Sequence, residues 1–399
     1  MAKKEKIAFG KLNLLRNDIL NNKSKISIGF VGGGPSSFIG YTHRLAARFD
    51  NRFEFKAGIF SKNIKKSRNF GVALGLNKDR CYESYQKMAK LESEREDGIQ
   101  ALGIMTPSGD HLRIAKPFIE KGIHIICDKP LTATISDAQL LKKLVQKHKI
   151  IFALTHNYSA YPMLREAKKI VTTGKIGKVN LVNVEYPQGY TAGIKKSNER
   201  NTLKWRLDKK ISGPSMILSE IGTHAYHLLR YVTELEVREL AAEVNTLSKE
   251  LTVDDNAFVL LRLNNNARGS IWVSSAATGG ENGLKIRVYG TKGAVEWFQD
   301  DPNNLKFTEL DKPMKIITRA SNGVSNFSLS SSRLAAGHPE GFFEAFANIY
   351  TEFADTINNQ SKSKNLIPSY PTIDDGVKGI KFIFAAKKSS KLNSKWIKI

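Results

Sequence analysis

The first half of the chain alternates short apolar runs with segments of helical periodicity, and this alternation restricts the folds open to it. The strand-like runs lie at 25–32, 53–60, 99–106, 124–129 and 150–157. Strands that alternate with helices predict right-handed βαβ units and a parallel sheet. We therefore expect residues 25–158 to form a doubly wound α/β domain.

The second half has a different texture, because strand-like runs follow one another with few helices between them. These runs lie at 179–187, 237–246, 256–265, 267–276 and 284–298. Such a succession predicts an open, largely antiparallel sheet. Helices are expected again at 215–233, 341–357 and 373–389, and the polar stretch 311–337 is interpreted as a loop. Residues 159–399 are thus assigned to one α+β substrate and oligomerisation domain.

A glycine-rich turn follows the first strand in "VGGGPSS", residues 31–37. Gly32, Gly33 and Gly34 between a strand and a helix are typical of a dinucleotide-binding Rossmann turn, in which backbone amides approach a pyrophosphate. The position of a third fingerprint glycine holds Ser37, and the next glycine is Gly40. We expect Pro35 in the first helical turn, and Ser36 and Ser37 as hydroxyl donors to phosphate. A purely structural glycine turn is the alternative.

The end of the second strand bears on the choice between NAD and NADP. An acidic residue there would bind the ribose 2′-hydroxyl, whereas a basic one accommodates a 2′-phosphate. The chain has Ser61 followed by Lys62. The cofactor is therefore predicted to be NAD or NADP, with a lean to NADP. The alternative is that Ser61 and Asn63 only cap the next helix.

Two further stretches carry residue types suited to proton transfer. In "SEIGTHAYH", Glu220, His224 and His227 would share one face of a regular helix. Histidine is the side chain most easily used as an acid or base near neutral pH. No metal is expected, because the two histidines are three residues apart and the HExxH order is absent. Lys129 follows a buried-type strand and precedes Pro130, at the strand end where open α/β sheets bind ligands.

Several longer stretches carry a family resemblance. They are "GIMTPSGDHLRIAKPFIEKGIHIICDKPL", "THNYSAYP", "SEIGTHAYHLLRYVT", "GTKGAVEWF" and "GHPEGFFEAFANIY". In this combination and order, over most of residues 25–390, the chain resembles the Gfo/Idh/MocA oxidoreductases, the glucose–fructose oxidoreductase and inositol dehydrogenase superfamily. Asp128-Lys129-Pro130 stands where that family has Glu-Lys-Pro.

The resemblance implies roles for individual residues. Lys129 matches the active-site lysine and His224 the catalytic histidine, and Glu220 replaces an aspartate. The residues expected to bind the cofactor are Thr106, Pro107, His111, Asp128, Lys129 and Asn157, together with the glycine turn, Ser36, Ser37, Ser61 and Lys62. The substrate side would include Lys129, Tyr158, Trp205, Arg206, His224 and His227, with Tyr186 and Tyr190 as further aromatic candidates.

The function expected from these residues is NAD(P)-dependent hydride transfer at a ring hydroxyl carbon of a sugar, inositol or related polyol. His224 would accept the hydroxyl proton, and Lys129 would hydrogen-bond the same oxygen, stabilise the developing alkoxide and relay the proton. Glu220 is the third catalytic candidate and would orient or share that proton. Two alternatives stay open. One is a redox-neutral enzyme that oxidises a sugar carbon transiently to activate a glycosidic bond, and the other is a non-catalytic regulator that senses the cofactor.

Composition limits the other classes of protein to which the chain could belong. The formal net charge of +24 suits anionic ligands, yet the lysines are dispersed and no nucleic-acid-binding motif accompanies them, so no nucleic-acid partner is expected. No apolar run approaches the roughly 18 residues of a membrane helix. Residues 1–24 are interpreted as a basic extension and not a signal peptide. Two cysteines accord with a cytoplasmic protein, and the resemblance implies a homo-oligomer, a dimer or tetramer, formed through the C-terminal sheet.

Overall fold

The structure is a computed structural model that describes residues 24–193, 206, 208–360 and 368–399. Its contacts divide the chain into two compact units. Of the described residues, the N-terminal unit comprises 24–157 and 343–377, and the C-terminal unit comprises those within 158–342 and 378–399. The segment 343–377, which the sequence analysis grouped with the C-terminal domain, therefore packs with the N-terminal one.

The N-terminal unit is built on a parallel sheet of five strands, as expected. The strands are β1 (Ile26–Gly32), β2 (Phe53–Ile59), β3 (Ala101–Met105), β4 (His124–Cys127) and β5 (Phe152–Leu154). The helices between them are α1 (Phe38–Phe49), α2 (Ile64–Ala73), α3 (Tyr85–Ser93), α4 (His111–Ile119) and α5 (Ile135–Lys147). The sheet order is β2-β1-β3-β4-β5. Every residue of β3 is buried, as both-sided packing of a parallel sheet requires.

The C-terminal unit contains the remaining strands. They are β6 (Val179–Pro187), β7 (Val237–Asn245), β8 (Asn256–Leu263), β9 (Arg268–Ser274), β10 (Lys285–Gly290), β11 (Gly293–Phe298), β12 (Asn304–Glu309), β13 (Lys315–Thr318) and β14 (Ile397–Lys398). The further helices of the chain are α6 (Pro162–Thr172), α7 (Lys209–Ser212), α8 (Thr223–Thr233), α9 (Asn326–Leu329), α10 (Phe342–Asn359) and α11 (Ile373–Lys391).

The nine strands of this unit form one mixed sheet in the order β13-β12-β11-β10-β6-β9-β8-β7-β14. All neighbouring pairs described are antiparallel except β6 and β9, which run parallel. Helices α6 and α8 pack on one face of the sheet. Residues on that inner face, such as Val182 and Val184, are buried, whereas Leu181, Phe258 and Leu260 on the outer face are more than half exposed.

One prediction about the C-terminal half is wrong. The stretch 311–337, interpreted as a loop, contains β13 and the short helix α9. The polar side chains of this stretch form bonds within the fold. The guanidinium of Arg319 forms a buried ion pair with Glu340 at 2.8 Å, and its Nη1 also donates to the carbonyl oxygen of Leu334. Polar side chains here bond to backbone within the fold instead of facing water. Among the described residues no helix is long and apolar enough to cross a membrane.

Candidate active site

The glycine turn after β1 fits so tightly that side chains are excluded. A Cβ on Gly32 would lie 2.3 Å from the carbonyl oxygen of Met105, and one on Gly34 would lie 2.6 Å from that of Phe60. Gly32 and Gly33 also have positive φ values of 93° and 64°, which residues other than glycine adopt at a cost. The backbone of the turn is thus held between the ends of β3 and β2, and the amide of the buried Gly33 donates to the carbonyl oxygen of Met105 at 3.2 Å.

Gly40 supplies the close approach that the third fingerprint glycine usually provides. A Cβ on Gly40 would stand 2.3 Å from the Cα of Gly33, so only glycine lets α1 pack this closely against the turn. The sequence analysis placed Ser37 at the fingerprint position that usually serves this close packing. Instead, Ser37 is the N-cap of α1, and its hydroxyl accepts from the amide of Gly40 at 3.0 Å. Pro35 and Ser36 precede the helix, so the prediction that Pro35 lies in its first turn is wrong.

The end of β2 combines a turn with a helix cap. The hydroxyl oxygen of Ser61 accepts from the amide of Asn63 at 3.1 Å, and the side chain of Asn63 caps α2 through the amide of Lys66. Lys62 is exposed between them. The capping interpretation therefore holds for Asn63. The Ser61 O–H can still donate, and the described surface at this turn carries a cation and no carboxylate.

At the end of β3, Thr106 and His111 differ in how their polar atoms are used. His111 is fully buried, with Nε2 2.7 Å from the Thr106 carbonyl oxygen and Nδ1 3.0 Å from that of Leu131. Burial lowers the pKa of His111, although the two carbonyls and Asp128 favour the charged ring. His111 thus connects the backbone after β3 to the backbone after β4. Pro107 begins the turn that leads into α4.

Asp128 and Lys129 lie at the end of β4, before a cis peptide bond to Pro130. The Asp128 carboxylate accepts from the backbone amide of Lys129 at 2.9 Å and from the Thr155 hydroxyl at 3.0 Å. Burial raises the pKa of Asp128, but the His43 imidazole, whose Nε2 lies 3.8 Å from Oδ1, together with the charges of Lys129 and His111, outweighs this and lowers it overall. The Lys129 side chain is partly exposed.

Two buried polar atoms at this sheet edge have no hydrogen-bond partner among the described residues. They are the hydroxyl of Thr106, after β3, and the side-chain amide nitrogen of Asn157, after β5. Asn157 is 1% exposed, and a buried donor without a partner is costly. Together with the glycine turn, these atoms provide what a dinucleotide needs at the carboxyl ends of parallel strands. The residues present therefore fit such a cofactor.

In the C-terminal unit the segment "LSEIG" forms a π-helical turn, Leu218–Gly222, directly before α8. The wider turn breaks the α-helical spacing that was predicted to put Glu220 on one face with His224 and His227. Glu220 instead forms an ion pair with Arg206 at 3.1 Å. His224 and His227 lie on α8 and are 7% and 5% exposed.

A buried network surrounds His224. Its ring packs edge-to-face on Tyr158, with centroids 4.9 Å apart. The Tyr158 and Tyr186 hydroxyls are 2.5 Å apart, and Tyr186 donates to the Asn282 side-chain oxygen at 2.8 Å. Burial raises the pKa of both tyrosines, that of Tyr186 strongly. Both tyrosines therefore stay protonated, and their hydrogen bond holds the Tyr158 ring on which His224 packs.

Sequence reasoning missed several residues of these sites. His43 and Tyr350, which adjoin Asp128, and Asn282, which bonds the tyrosine pair, had no distinguishing local motif. Tyr190 is 43% exposed. Trp205 lies outside the described residues. Within the described ranges no cluster of histidine, cysteine and acidic side chains could hold a metal ion.

The fold and the glycine turn define an oxidoreductase with an NAD-binding Rossmann domain. Residues 26–156 match the oxidoreductase family with that fold, and residues 164–296 match the GFO/IDH/MocA C-terminal domain. The chain belongs to the Gfo/Idh/MocA oxidoreductase family, as its sequence motifs predicted.

Three similar proteins support this membership. The "Uncharacterized oxidoreductase YfiI" of Bacillus subtilis is 35% identical over 375 residues, covering 92% of this chain and 95% of its own. The crystal structure of an oxidoreductase from Sinorhizobium meliloti is 42% identical, covers 94% and 100%, and has a TM-score of 0.85. An inositol dehydrogenase homolog from Azotobacter vinelandii, complexed with NADH and myo-inositol, is 31% identical, covers 94% and 98%, and has a TM-score of 0.87.

Proposed function

We propose that this protein is an NAD(P)-dependent dehydrogenase that oxidises a ring CH–OH group of a sugar, inositol or related polyol. The observation that carries the proposal is the carboxyl edge of the parallel sheet. There the glycine turn, the unpartnered Thr106 and Asn157 atoms and the Lys129 segment follow neighbouring strands. The substrate class is taken from the inositol dehydrogenase homolog, which binds myo-inositol.

The proposed cofactor contacts divide by chemistry. The Gly34 amide and the Ser36 hydroxyl would hold the pyrophosphate next to the amino end of α1, while Gly32 and Gly33, whose lack of side chains keeps the turn compact, would let the pyrophosphate approach the backbone. Ser61 and Lys62 would hold the adenosine ribose and favour a 2′-phosphate. When bound, the cofactor supplies hydride transfer. Ser37, Pro107, His111 and Asp128 would support this site through the backbone.

The proposed proton chemistry rests on a histidine and a lysine. His224 accepts the proton of the substrate hydroxyl, since its ring is held against Tyr158 and histidine titrates near neutral pH. The Lys129 ammonium hydrogen-bonds the substrate oxygen and stabilises the alkoxide that develops as hydride leaves. Glu220 orients Arg206 through their ion pair, and Tyr158, Trp205, Arg206 and His227 contribute to recognition of a hydroxyl-rich ligand.

A homo-oligomer and a cytoplasmic location complete the proposal. The outer face of the C-terminal sheet, here defined by Leu181, Phe258, Leu260 and Trp272, exposes large apolar side chains. Phe258 and Trp272 stack with their ring centroids 6.0 Å apart. A second copy covering this face would remove these groups from water. Cys81 and Cys127 are free and buried, which accords with a reducing compartment.

The first test is a fluorescence titration of the purified protein with NADH and NADPH in parallel, followed by a turnover assay with myo-inositol and other polyols. We expect saturable binding of at least one cofactor, tighter for NADPH if Lys62 meets the 2′-phosphate, and accumulation of reduced cofactor with a polyol. Binding without turnover on any polyol favours the regulator. Product without reduced cofactor favours the redox-neutral enzyme, and absence of binding refutes all three.

A further inference from the structure

A fully buried histidine links helix α1 to the Lys129 segment. His43 has no exposed surface. Its Nδ1 lies 2.8 Å from the hydroxyl oxygen of Tyr350 on α10, and its Nε2 lies 3.8 Å from the Oδ1 of Asp128. Phe346 packs edge-to-face on the ring, at a centroid distance of 5.3 Å. The imidazole is therefore held in one orientation, between a phenol and a carboxylate.

Asp128 connects the fixed His43 ring with the backbone of Lys129. The same oxygen that faces His43 accepts from the Lys129 amide and from the Thr155 hydroxyl, and the Asp128 amide donates to Ile104 on β3. These bonds to Oδ1 are stronger while the carboxylate is ionised, because a charged acceptor holds its donors more tightly than the carbonyl oxygen of a protonated carboxyl does. The charge on Asp128 therefore decides how firmly the backbone before the Lys129 side chain is held.

Among the described residues, five titratable groups face Asp128 from the surrounding elements. They are His43 on α1, His111 on α4, Cys127 and Lys129 on either side, and Tyr350 on α10. Cys127 and Tyr350 are neutral, since burial strongly raises the pKa of each. Of the groups that favour the anion, His43 contributes most.

We propose that His43 is a positioning residue, which keeps Asp128 ionised and in one rotamer and thereby fixes the backbone at Lys129. In this assignment the Tyr350 O–H is the donor to Nδ1, which leaves the ring proton on Nε2, 3.8 Å from the Oδ1 of Asp128. No bond forms or breaks in this arrangement. The consequence for turnover rests on the proposed function, whereas the effect of His43 on Asp128 does not.

The direct test measures the Asp128 carboxyl. Protein labelled with [4-¹³C]aspartate is titrated by carboxyl NMR, with the resonance assigned by Asp128→Asn. In wild type we expect Asp128 to stay ionised below the ordinary aspartate value of about 3.9. His43→Asn keeps an amide near Tyr350 but cannot reach Asp128, and we expect the midpoint to rise because burial is then opposed only by Lys129 and His111.

Two variants make this result specific. Tyr350→Phe retains the ring and removes one oxygen, and a smaller upward shift is expected because the imidazole loses its fixed tautomer. It also provides the test if His43→Asn does not fold. His124→Asn is the matched control, since His124 begins the same strand and accepts from the Ile151 amide at 3.2 Å. An Asp128 midpoint unchanged in the folded His43 and Tyr350 variants overturns the proposal.

Turnover separates this proposal from the proposed function. With a polyol found active in the screen, His43→Asn is expected to lower kcat by about 10²-fold, the typical cost of a small misplacement of a catalytic group, at unchanged NADH affinity. A wild-type protein that turns over no polyol refutes the function, while the carboxyl titration still decides the role of His43. An active wild type whose His43→Asn variant keeps both kcat and the Asp128 midpoint refutes the role of His43 alone.

Discussion

At the scale of single residues, function depends on side chains whose partners are fixed by neighbouring backbone. Lys129 and His224 illustrate this in separate units. The Lys129 backbone is held by Asp128, and the His224 ring is held by Tyr158, whose hydroxyl is bonded to Tyr186. In both cases the group proposed to act in the reaction extends from a held support, which would reduce the reorganisation needed during that reaction.

Removal of either reactive group is expected to affect chemistry more than cofactor binding. Lys129→Ala and His224→Ala should each lower kcat by roughly 10²–10⁴-fold, the usual contribution of a general acid or base. Their NADH dissociation constants should stay near the wild-type value. Lys121→Ala, at an exposed lysine after α4, is the control and should be fully active. Near-normal turnover in both variants would contradict the assignment.

The glycine turn allows a test that separates steric exclusion from backbone strain. Gly32→Ala should abolish detectable NADH binding, because its Cβ would meet the Met105 carbonyl oxygen at 2.3 Å and force the turn apart. Gly75 also has a positive φ, of 88°, but no atom within 4 Å of its Cβ position. Gly75→Ala should therefore cost about 1 kcal/mol of unfolding free energy and leave NADH affinity intact. Equal loss of affinity in both variants would argue against a cofactor role of the turn.

At the scale of elements, short irregularities set where side chains point. Ser37 caps α1, so that the helix begins at Phe38 and leaves Pro35 outside its first turn, and Gly40 allows the helix to approach the glycine turn. The π-helical turn before α8 separates Glu220 from the α-helical spacing of the two histidines. Such features depend on packing against neighbouring elements, so periodicity alone does not report them.

The N-cap of α1 should connect helix stability with cofactor binding. Ser37→Ala removes the bond to the Gly40 amide and should lower the unfolding free energy by about 1 kcal/mol. Ser84 caps α3 in the same way, accepting from Lys87 at 3.2 Å, but lies away from the glycine turn. Chemical denaturation should give similar losses for Ser37→Ala and Ser84→Ala, and NADH titration should show weakened binding only for the first. Unchanged affinity in both would separate the cap from the cofactor site.

At the scale of the whole molecule, buried histidines make stability dependent on pH. Burial lowers the pKa of His124 from 6.5 to about 4, and that of His111 is also lowered. Between about 4 and 6.5 the unfolded chain therefore binds protons at His124 that the folded chain does not. The unfolding free energy should fall as pH decreases through this window. Urea denaturation at several pH values should show that the unfolding free energy of His124→Asn falls less steeply with decreasing pH than that of the wild type. An equal pH dependence in the two proteins would contradict the low pKa of His124.

The outer face of the C-terminal sheet predicts the assembly state. Phe258 and Leu260 are 53% and 57% exposed, so we expect Phe258→Glu/Leu260→Glu to convert an oligomer into a monomer in light-scattering measurements. Leu310→Glu is the control, because Leu310 is 63% exposed but follows β12, outside the four residues that define the outer face. A wild-type monomer, or a double variant of unchanged mass, would refute pairing through this face.

Sequence patterns alone determined the class of the fold and the order of most elements. The parallel sheet followed from five apolar runs separated by helices, and the glycine turn and the family motifs identified the oxidoreductase family. These features are local, because strand burial, helix periodicity and turn conformation are each determined by a few neighbouring residues. Strands β12, β13 and β14 and the parallel pairing of β6 with β9 were not found, since strand pairing depends on partners far apart in the chain.

Only the tertiary structure decided which polar groups meet. His43 and Tyr350 are separated by 307 positions and Tyr158 and Asn282 by 124, so no local pattern could pair them. Hydrogen bonds and charge interactions depend on distances of a few ångströms in space. The sequence therefore supplied the candidates, Lys129 and His224 among them, and folding determined the environment that each of them has.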